Sequence, residues 1–369
     1  MTDGILLSMS LNDFRKYDGN LRNCKPITKS HPLIKDMPNA EKEEDKYKWR
    51  EVKEMYLPNP RGTHSLRVTE EERVGAKRLC IYGSVRKWLL GENSIEDITR
   101  REFPQFVEEL AELLNLPIDI VWHKLKLSQT ELGYNFSTKL RWNDFVRHCV
   151  QYGRTKDRLD YDDKNETLYW NGDDKILKMY DKGKEIPANI INKSRKNEAE
   201  KKMEKLADKG LFLCRIEVTY ADKNSFKKYG SLEISSLYDL YENWHRLHYL
   251  LVREISKIRI DSKVRISECM TPRQQAIAMI INKSKKFDTA VKQVAEYFYK
   301  SDENKAKRKI LAVINEFSSP EKYSIRSFRK AIAKKLIRIN RKREELPLSD
   351  LFHILWRTTK GRSLKPNVV

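Results

Sequence analysis

Cysteine and long apolar runs are both scarce in this 369-residue chain, and each shortage excludes a class of protein. The cysteines lie far apart without a CxxC pair, which argues against a zinc ribbon and a disulfide framework. No stretch resembles a transmembrane span or signal peptide, and the apolar residues 4–11 are too few for either and predict a strand. We therefore expect a cytoplasmic protein with no membrane partner.

The balance of charge points to a polyanionic ligand. Lysine and arginine number 74 against 53 acids, a net charge of +21 with a pI near 9.5. Nucleic acid is the first candidate for such a chain. Residues 321–369 hold 14 of the basic residues and 4 of the acids. On amphipathic helices this surplus predicts contact with phosphates, whereas for any single residue a solvated helical face is the alternative.

Hydrophobic spacing predicts an α+β fold with a mainly antiparallel sheet covered by helices. Residues 12–60 are polar and punctuated by proline, typical of an irregular excursion. Strands at Thr63–Val68 and Lys77–Tyr82, separated by a charged turn at 70–73, precede a helix at 103–114 and a long strand at 124–136. A second amphipathic helix, Trp142–Val150, leads to a hairpin, a helix and a strand over about 165–220. The two β-β-α-β blocks raise the hypothesis of a duplication.

Strand patterns fade after about residue 231. The apolar residues from Leu237 to Leu251 predict a long helix, and further helices are expected near 272–284, 287–299, 303–317 and 324–340. We predict two domains, a catalytic α+β domain at 1–235 and a basic, all-helical DNA-binding region at 236–369. The basic residues that we expect to contact DNA in this region are Arg338, Arg341, Lys342 and Arg343.

The segment Thr167–Glu185 carries the first candidate chemistry. Asn171–Asp174 is hairpin sequence, and strand alternation after it places Lys178 and Tyr180 on one face and Asp181 on the other. A phenol near cations and metal-binding carboxylates is a candidate nucleophile for a phosphodiester. Because an ordinary tyrosine has a pKa near 10, it needs a base or stabilisation, which Lys182, Lys184 or a metal would supply. Tyr169 is the second candidate and Tyr134 the third.

A second strand, Leu211–Tyr220, contains one acid, Glu217, in mid-strand. Burying a charge is costly unless it is paired or binds a metal. Two interpretations remain open, an ion pair with a lysine or with Arg215, or a metal ligand.

Several of these motifs together resemble those of a known family. Met179–Glu185 and Cys214–Val218 resemble the "YDK…E" and "R-hydrophobic-E-V" motifs of phage and plasmid replication proteins, the rolling-circle initiators of filamentous phages (gene II/X type). Lys87–Asn93 is similar to their "lysine–hydrophobic–GxN" element, although Ile95–Asp97 replace its apolar and glycine continuation. Glu131 lies where relatives carry an aspartate. The resemblance covers roughly residues 60–235, with the elements in the family's order.

The resemblance implies a site-specific nicking and joining enzyme acting at a replication origin. In such enzymes a tyrosine attacks the DNA, stays linked to the 5′-phosphate and releases a 3′-hydroxyl, and a later transesterification re-joins the displaced strand. Mg²⁺ (or Mn²⁺) is the implied cofactor, and single- and double-stranded origin DNA, host helicase and host polymerase are the implied partners. The residues that the motifs suggest are Tyr180, Tyr169 and Lys182 for catalysis, Glu131, Glu217, Asp181 and Glu185 for the metal, and Lys87 and Arg215 for DNA.

Two other functions remain compatible with the same residues. A metal-dependent hydrolytic nuclease would use the acids without a covalent intermediate, and a non-enzymatic nucleic-acid-binding regulator would use the charge alone. The seven histidines contain no His-hydrophobic-His triplet, which favours a carboxylate-only metal site over one that uses His245 and His248.

Overall fold

A ten-stranded antiparallel sheet forms the centre of the computed structural model, with the strand order β2-β3-β4-β5-β1-β6-β11-β10-β9-β8. The structure describes residues 2–27, 49–61, 64–92, 94–139, 142, 149–152, 160–162, 167–171, 175–189, 193–220, 223–260, 266, 268–284, 287–317, 325–341 and 346–356. The strands are β1 Thr2–Ser10, β2 Lys25–Pro26, β3 Arg50–Pro58, β4 Ser65–Arg73, β5 Ala76–Ser84, β6 Lys126–Thr138, β7 Cys149–Tyr152, β8 Asp160–Asp162, β9 Thr167–Asn171, β10 Lys175–Asp181, β11 Phe212–Tyr220 and β12 Ile258–Ile260.

Helices cover the sheet and form the C-terminal region. They are α1 Leu11–Lys16, α2 Val85–Leu90, α3 Phe103–Leu114, α4 Ile118–His123, α5 Lys182–Asn189, α6 Lys193–Asp208, α7 Lys223–Gly230, α8 Leu237–Glu242, α9 Trp244–Ser256, α10 Pro272–Lys283, α11 Phe287–Phe298, α12 Glu303–Phe317, α13 Ile325–Ile339 and α14 Leu348–Trp356. The predicted α+β class and the helical C-terminal region are confirmed. No helix within these ranges combines the length and the apolar composition needed to cross a bilayer.

The first strand lies deep inside the sheet. β1 pairs with β5 on one side and with β6 on the other, while β10 and β11 pair directly. The blocks β4–β5–helices–β6 and β9–β10–helices–β11 therefore occupy opposite halves of the sheet but are not equivalent, since β1 separates β5 from β6. Alternate residues of β1 (Ile5, Leu7 and Met9) belong to the main core.

The expected turn at 70–73 is wrong, and the reversal lies further along the chain. β4 continues through Arg73, and the chain turns at Val74 and Gly75, whose φ angles of 46° and 77° suit a tight hairpin. The charged residues remain in the strand because they find partners across it. Glu71 bonds Arg78 at 2.6 Å.

Two further expectations need correction. The predicted irregular excursion at 12–60 contains β3, which pairs with β4 along most of its length. Its pattern was hidden because only Met55 and Leu57 in its second half enter the core. The predicted helix Trp142–Val150 is wrong at its end, since Cys149 begins β7, which pairs with β12. Residues 143–148 lie outside the described residues.

The helical region is divided between two hydrophobic cores. Helices α8, α9, α13 and α14 contribute Leu240, Leu251, Phe328 and Leu355, among others, to the same core as the sheet. Helices α10, α11 and α12 enclose a separate core built around Ile277, Val294 and Ile310. The main core thus continues across the predicted boundary at residue 235, whereas α10–α12 form a unit of their own.

Candidate active site

One face of the sheet gathers most of the predicted chemistry. Direct pairing across neighbouring strands puts residues on the same face, and the register pairs Lys178 with both Tyr169 and Glu217, Tyr180 with Arg215, and Thr219 with Glu131. Residues predicted from three separate segments therefore meet on β6, β9, β10 and β11. We call this set of side chains, Glu131, Tyr169, Lys178, Tyr180, Arg215 and Glu217, the polar face.

The phenol of Tyr180 donates a hydrogen bond to the carboxylate of Glu217. The distance from Oη to Oε1 is 3.0 Å. Burial raises the pKa of Tyr180 well above its usual value, and the negative charge of Glu217 raises it further. The pKa of this phenol is not lowered, so of the two routes considered its ionisation requires a base. Glu217 is already in position to accept the proton.

Arg215 holds Glu217 in place from the centre of a buried ionic network. Its Nε donates to the same Glu217 oxygen, its Nη1 lies 3.0 Å from Oδ1 of Asp97, and its Nη2 lies 2.7 Å from Oδ2 of Asp3. The side chain is fully buried, so the expected contact between Arg215 and DNA is not available in this structure. The residues next to Arg215 in the sequence gave no indication that its side chain would be buried. The ion-pair interpretation of Glu217 is confirmed.

Glu131 lies beside this network with partners of its own. Lys178 Nζ approaches Glu131 Oε1 at 3.3 Å, and Thr219 donates to the same oxygen at 3.1 Å. Burial raises the pKa of Glu131, and the charge of Glu217 adds to the shift. Packing is tight here, because a side-chain carbon at Gly4 would come within 2.6 Å of Glu131 Oε2.

A third group of charges follows the end of β10. Lys182 Nζ bonds Glu185 Oε2 at 2.5 Å, and Lys87 Nζ lies 3.7 Å from the other oxygen. Burial lowers the pKa of Lys182 to about 8 despite this partner. Burial acts against ionisation of Glu185 too, but Lys182 and Lys87 overcome it and lower its pKa to about 2. Lys182 also lies 5.5 Å from the ring centroid of Tyr180.

The four predicted metal ligands are not brought into one cluster. Asp181 lies on the opposite sheet face from Tyr180, where it lines an open cavity of about 540 Å³ and accepts a hydrogen bond from the Lys184 backbone. Glu185 is engaged by two lysines. Across the described residues, no group of three or more acids, histidines or cysteines has metal-binding geometry. Glu131 and Glu217 remain a same-face pair on adjacent strands.

That pair fits a hard divalent cation. Mg²⁺ commonly takes one or two protein carboxylates and completes its shell with water and substrate phosphate. Burial is the main cause of the raised pKa of Glu131 and the charge of Glu217 adds to it, so a cation bound between the two carboxylates would offset both effects.

The other two candidate tyrosines, Tyr169 and Tyr134, lie on opposite faces of the sheet. Tyr169 is half-buried on the polar face and faces Lys178 across the strands. Tyr134 points into the core on the other face, where its hydroxyl bonds Nδ1 of His248 at 2.5 Å. Burial lowers the pKa of His248 well below its usual value. The structure therefore places Tyr134 and His248 in a core contact away from the polar face.

The predicted DNA contacts of the C-terminal region are only partly described. Arg338 on α13 is exposed and pairs with Glu96. Arg341, two residues after the end of α13, is exposed. Lys342 and Arg343 lie outside the described residues. Lys335 on α13, which was not predicted, is buried and bonds Asp97 at 2.6 Å.

Several residues that the sequence did not reveal complete the network. Asp3 on β1 receives Arg86 and Arg215, which hold its pKa well below the usual value although burial opposes them. Asp97 receives Arg215 and Lys335. Asp3 precedes the strand predicted at residues 4–11 and belongs to β1 only in the structure, so the sequence pattern did not single it out. Asp97 gave no local sign, because its cationic partners Arg215 and Lys335 lie more than a hundred residues away along the chain.

A family comparison covers the part of the chain that carries the polar face. A family model described as the N-terminal part of a phage replication-associated protein matches residues 49–243, just over half of the chain. The chain belongs to this phage replication-associated protein family. The matched range contains Glu131, Tyr180, Arg215 and Glu217. Neither the curated proteins nor the solved structures contain a significant match to the chain.

Membership of the replication-associated family confirms the resemblance and implies that the protein interacts with DNA in phage replication. The matched range begins just before β3 and ends just before α9. It therefore leaves out β1, which supplies Asp3, and the helices α9–α14.

Proposed function

We propose that the protein initiates rolling-circle replication by nicking one strand of an origin, with Tyr180 as nucleophile, and later re-joins the displaced strand. The observation that carries this proposal is the hydrogen bond from Tyr180 to Glu217, on a half-buried sheet face within the family-matched range. A phenol whose pKa is raised by burial is inert by itself, but one that already donates to a carboxylate has a base in contact.

The nicking step follows from these contacts. Tyr180 Oη attacks the phosphorus, its proton passes to Glu217, and the bond from phosphorus to the 3′ oxygen breaks. The phosphate remains on Tyr180 through its 5′ side. The leaving 3′ oxygen takes up a proton from solvent, because Lys182 is almost as buried as Arg215 and is bonded to Glu185. Reversal of these transfers with a new 3′-hydroxyl would re-join the strand.

Arg215 and Lys178 position the two carboxylates. Arg215 orients Glu217 towards the phenol, and Lys178 holds Glu131. We propose that Glu131 and Glu217 would hold Mg²⁺ or Mn²⁺, which when bound would supply Lewis-acid polarisation of the scissile phosphate. Asp3 and Asp97 keep Arg215 rigid, so the polar face is preorganised.

A trapping experiment tests the nucleophile. The full chain is incubated with supercoiled DNA carrying its replicon's origin and Mg²⁺, and protein attached to nicked circles is identified by peptide mapping. We expect Tyr180→Phe, which keeps the ring and removes the oxygen, to lose nicking and the adduct while retaining origin binding. Tyr169→Phe is the matched control on the neighbouring strand, expected to retain both.

Three outcomes would contradict the assignment in different ways. An adduct mapped to Tyr169 would move the nucleophile to β9. Nicking without any adduct would support the hydrolytic nuclease. Binding without nicking by the wild-type protein would support the regulator.

A further inference from the structure

Helices α10, α11 and α12 form a small three-helix unit with its own core. Its buried positions are mostly small or branched, and comprise Met270, Ile277, Ala278, Ala290, Val291, Val294, Ala295, Ala306, Ile310 and Val313. Alanines on all three helices allow the backbones to approach closely. The unit lies beyond the family-matched range, and the polar face does not use it.

A short, well-defined turn joins the last two helices. α11 ends at Phe298 and α12 begins at Glu303, and within the turn Lys300 and Ser301 adopt positive φ angles of 48° and 68°. The Ser301 amide bonds the Ala295 carbonyl at 3.0 Å, and Asp302 caps α12 by accepting from the Lys305 amide at 2.9 Å. A second helix fixed by a short turn on a supporting helix is the connectivity of helix-turn-helix DNA readers.

The outer face of α12 has the composition of a base-reading surface. Ala306, Ile310 and Val313 face the core, so Asn304, Arg308 and Leu311, spaced by four and three residues, share the opposite, exposed face. Arginine pairs with guanine, asparagine with adenine, and an apolar side chain contacts the thymine methyl group. The three outward residues therefore supply the side-chain types that distinguish bases.

Cations flank this stripe and remain available to a ligand. Lys305, Lys307 and Lys309 are exposed. Within the described part of the chain, no ion pair engages Lys307, Arg308 or Lys309. A polyanion is thus the complementary partner. The helix is about 22 Å long at 1.5 Å per residue, and a major groove about 12 Å wide admits a helix.

The neighbouring basic helix α13 is less suited to this role. Its Lys335 is buried on Asp97 and its Arg329 is buried, while Arg338 pairs with Glu96. Its Phe328 packs edge-on against Phe136 of the sheet, with ring centroids 5.7 Å apart. Part of the charge of α13 is therefore used to attach it to the catalytic part of the protein.

We propose that α10–α12 is a second, sequence-reading DNA-binding site, with α12 lying in the major groove of duplex DNA. Arg308 and Asn304 contact base edges, and Lys305 and Lys307 contact the phosphates on either side. This site would direct the polar face to its origin. The proposal needs duplex DNA as ligand but does not depend on Tyr180 as the nucleophile.

A binding selection tests the proposal without any nicking. The full chain carrying Tyr180→Phe is incubated in EDTA with a pool of randomised duplexes, and the bound fraction is sequenced and its affinity measured. We expect an enriched motif containing guanine and adenine. Adding Arg308→Gln should relax the preference at one guanine and reduce the ratio of specific to non-specific affinity by at least about tenfold. Lys307→Gln should weaken binding to all duplexes alike and flatten the salt dependence by about one unit.

Arg253→Gln on α9, which removes one exposed positive charge outside the unit, is the matched control and should leave the motif unchanged. Circular dichroism checks that each variant folds. Lys307, Arg308 and Arg253 are all exposed, so we expect their replacement to leave the fold intact. Failure of the wild-type protein to select a motif would overturn the proposal. So would an Arg308→Gln variant that selects the same motif with the same preference. Neither result would bear on nicking by Tyr180, which is measured separately.

Discussion

Glu185 and Lys182 form a buried pair whose two pKa shifts have opposite consequences for stability. The pKa of Glu185 is lowered to about 2, so its ionised form favours folding, whereas burial lowers the pKa of Lys182 to about 8, so its charge disfavours folding. The geometry explains both shifts, because Lys182 is almost completely buried and Glu185 is partly exposed. Removing the carboxylate alone would leave the ammonium buried without its closest partner.

We therefore expect Glu185→Gln to lower the free energy of unfolding at pH 7 by about 2 kcal/mol. An acid with a folded pKa near 2 and an unfolded pKa near 4.5 contributes stability above pH 4.5 and loses it as the pH falls towards 2. The difference between variant and wild type should shrink over that range in urea unfolding experiments. The exposed Glu200→Gln on α6 serves as control. An equal effect of both variants would show that the pair contributes nothing.

At the scale of the element, β6 depends on Gly133, which pairs with Glu217 and lies against the end of the Arg215 side chain. A side-chain carbon at Gly133 would meet Arg215 Nη2 at 2.7 Å and the backbone oxygen of Ile216 at 2.8 Å. The backbone oxygen cannot move without disturbing the pairing of β6 with β11. The sheet thus makes room for the guanidinium by omitting one side chain.

Gly133→Ala should accordingly destabilise the protein by about 2 kcal/mol, within the usual range for overpacking. Thermal unfolding provides the measurement. Gly183→Ala is the matched control, because its nearest neighbour is the flexible Asp181 carboxylate at 3.1 Å and alanine favours the helix α5. Should both variants unfold at the wild-type temperature, the close approach at Gly133 is not a constraint.

Elements whose formation depends on residues close together in the sequence could be predicted, whereas those that depend on distant partners could not. The alternation of β10, the hairpin that precedes it and the spacing of α3 and α10–α13 are set by residues within one element, and these predictions were confirmed. The turn after β4 was misplaced because its charges are stabilised by cross-strand partners. In the site, Tyr180 and Glu217 could be nominated from their strands. Asp3, Asp97 and Lys335 could not, since only the folded chain brings them to Arg215.

At the scale of the whole molecule, a chain of ionic contacts connects the C-terminal helices to the proposed nucleophile. Lys335 on α13 bonds Asp97, Asp97 bonds Arg215, and Arg215 orients Glu217. Helix α13 is thus attached to the central sheet by a buried charge as well as by apolar packing.

We predict that Lys335→Met lowers the free energy of unfolding by about 1 to 3 kcal/mol, because Asp97 loses one of two buried cationic partners. Urea unfolding measures the change, and limited proteolysis shows whether α13 becomes accessible. Lys334→Met, on the exposed side of the same helix, is the control. Identical unfolding of the two variants would show that the contact between Lys335 and Asp97 does not anchor α13.

The position of β1 has a consequence for biosynthesis. This strand is made before all the others, yet Leu6 pairs with Tyr82 on β5 and with Gln129 on β6, and Asp3 finds its partner Arg215 only on β11. A nascent chain therefore carries an unpaired apolar strand on the ribosome until the sequence far downstream has been translated. Such long-range pairing is slow and leaves strand edges open to aggregation. Chaperones that hold emerging strands should accordingly raise the yield of active protein.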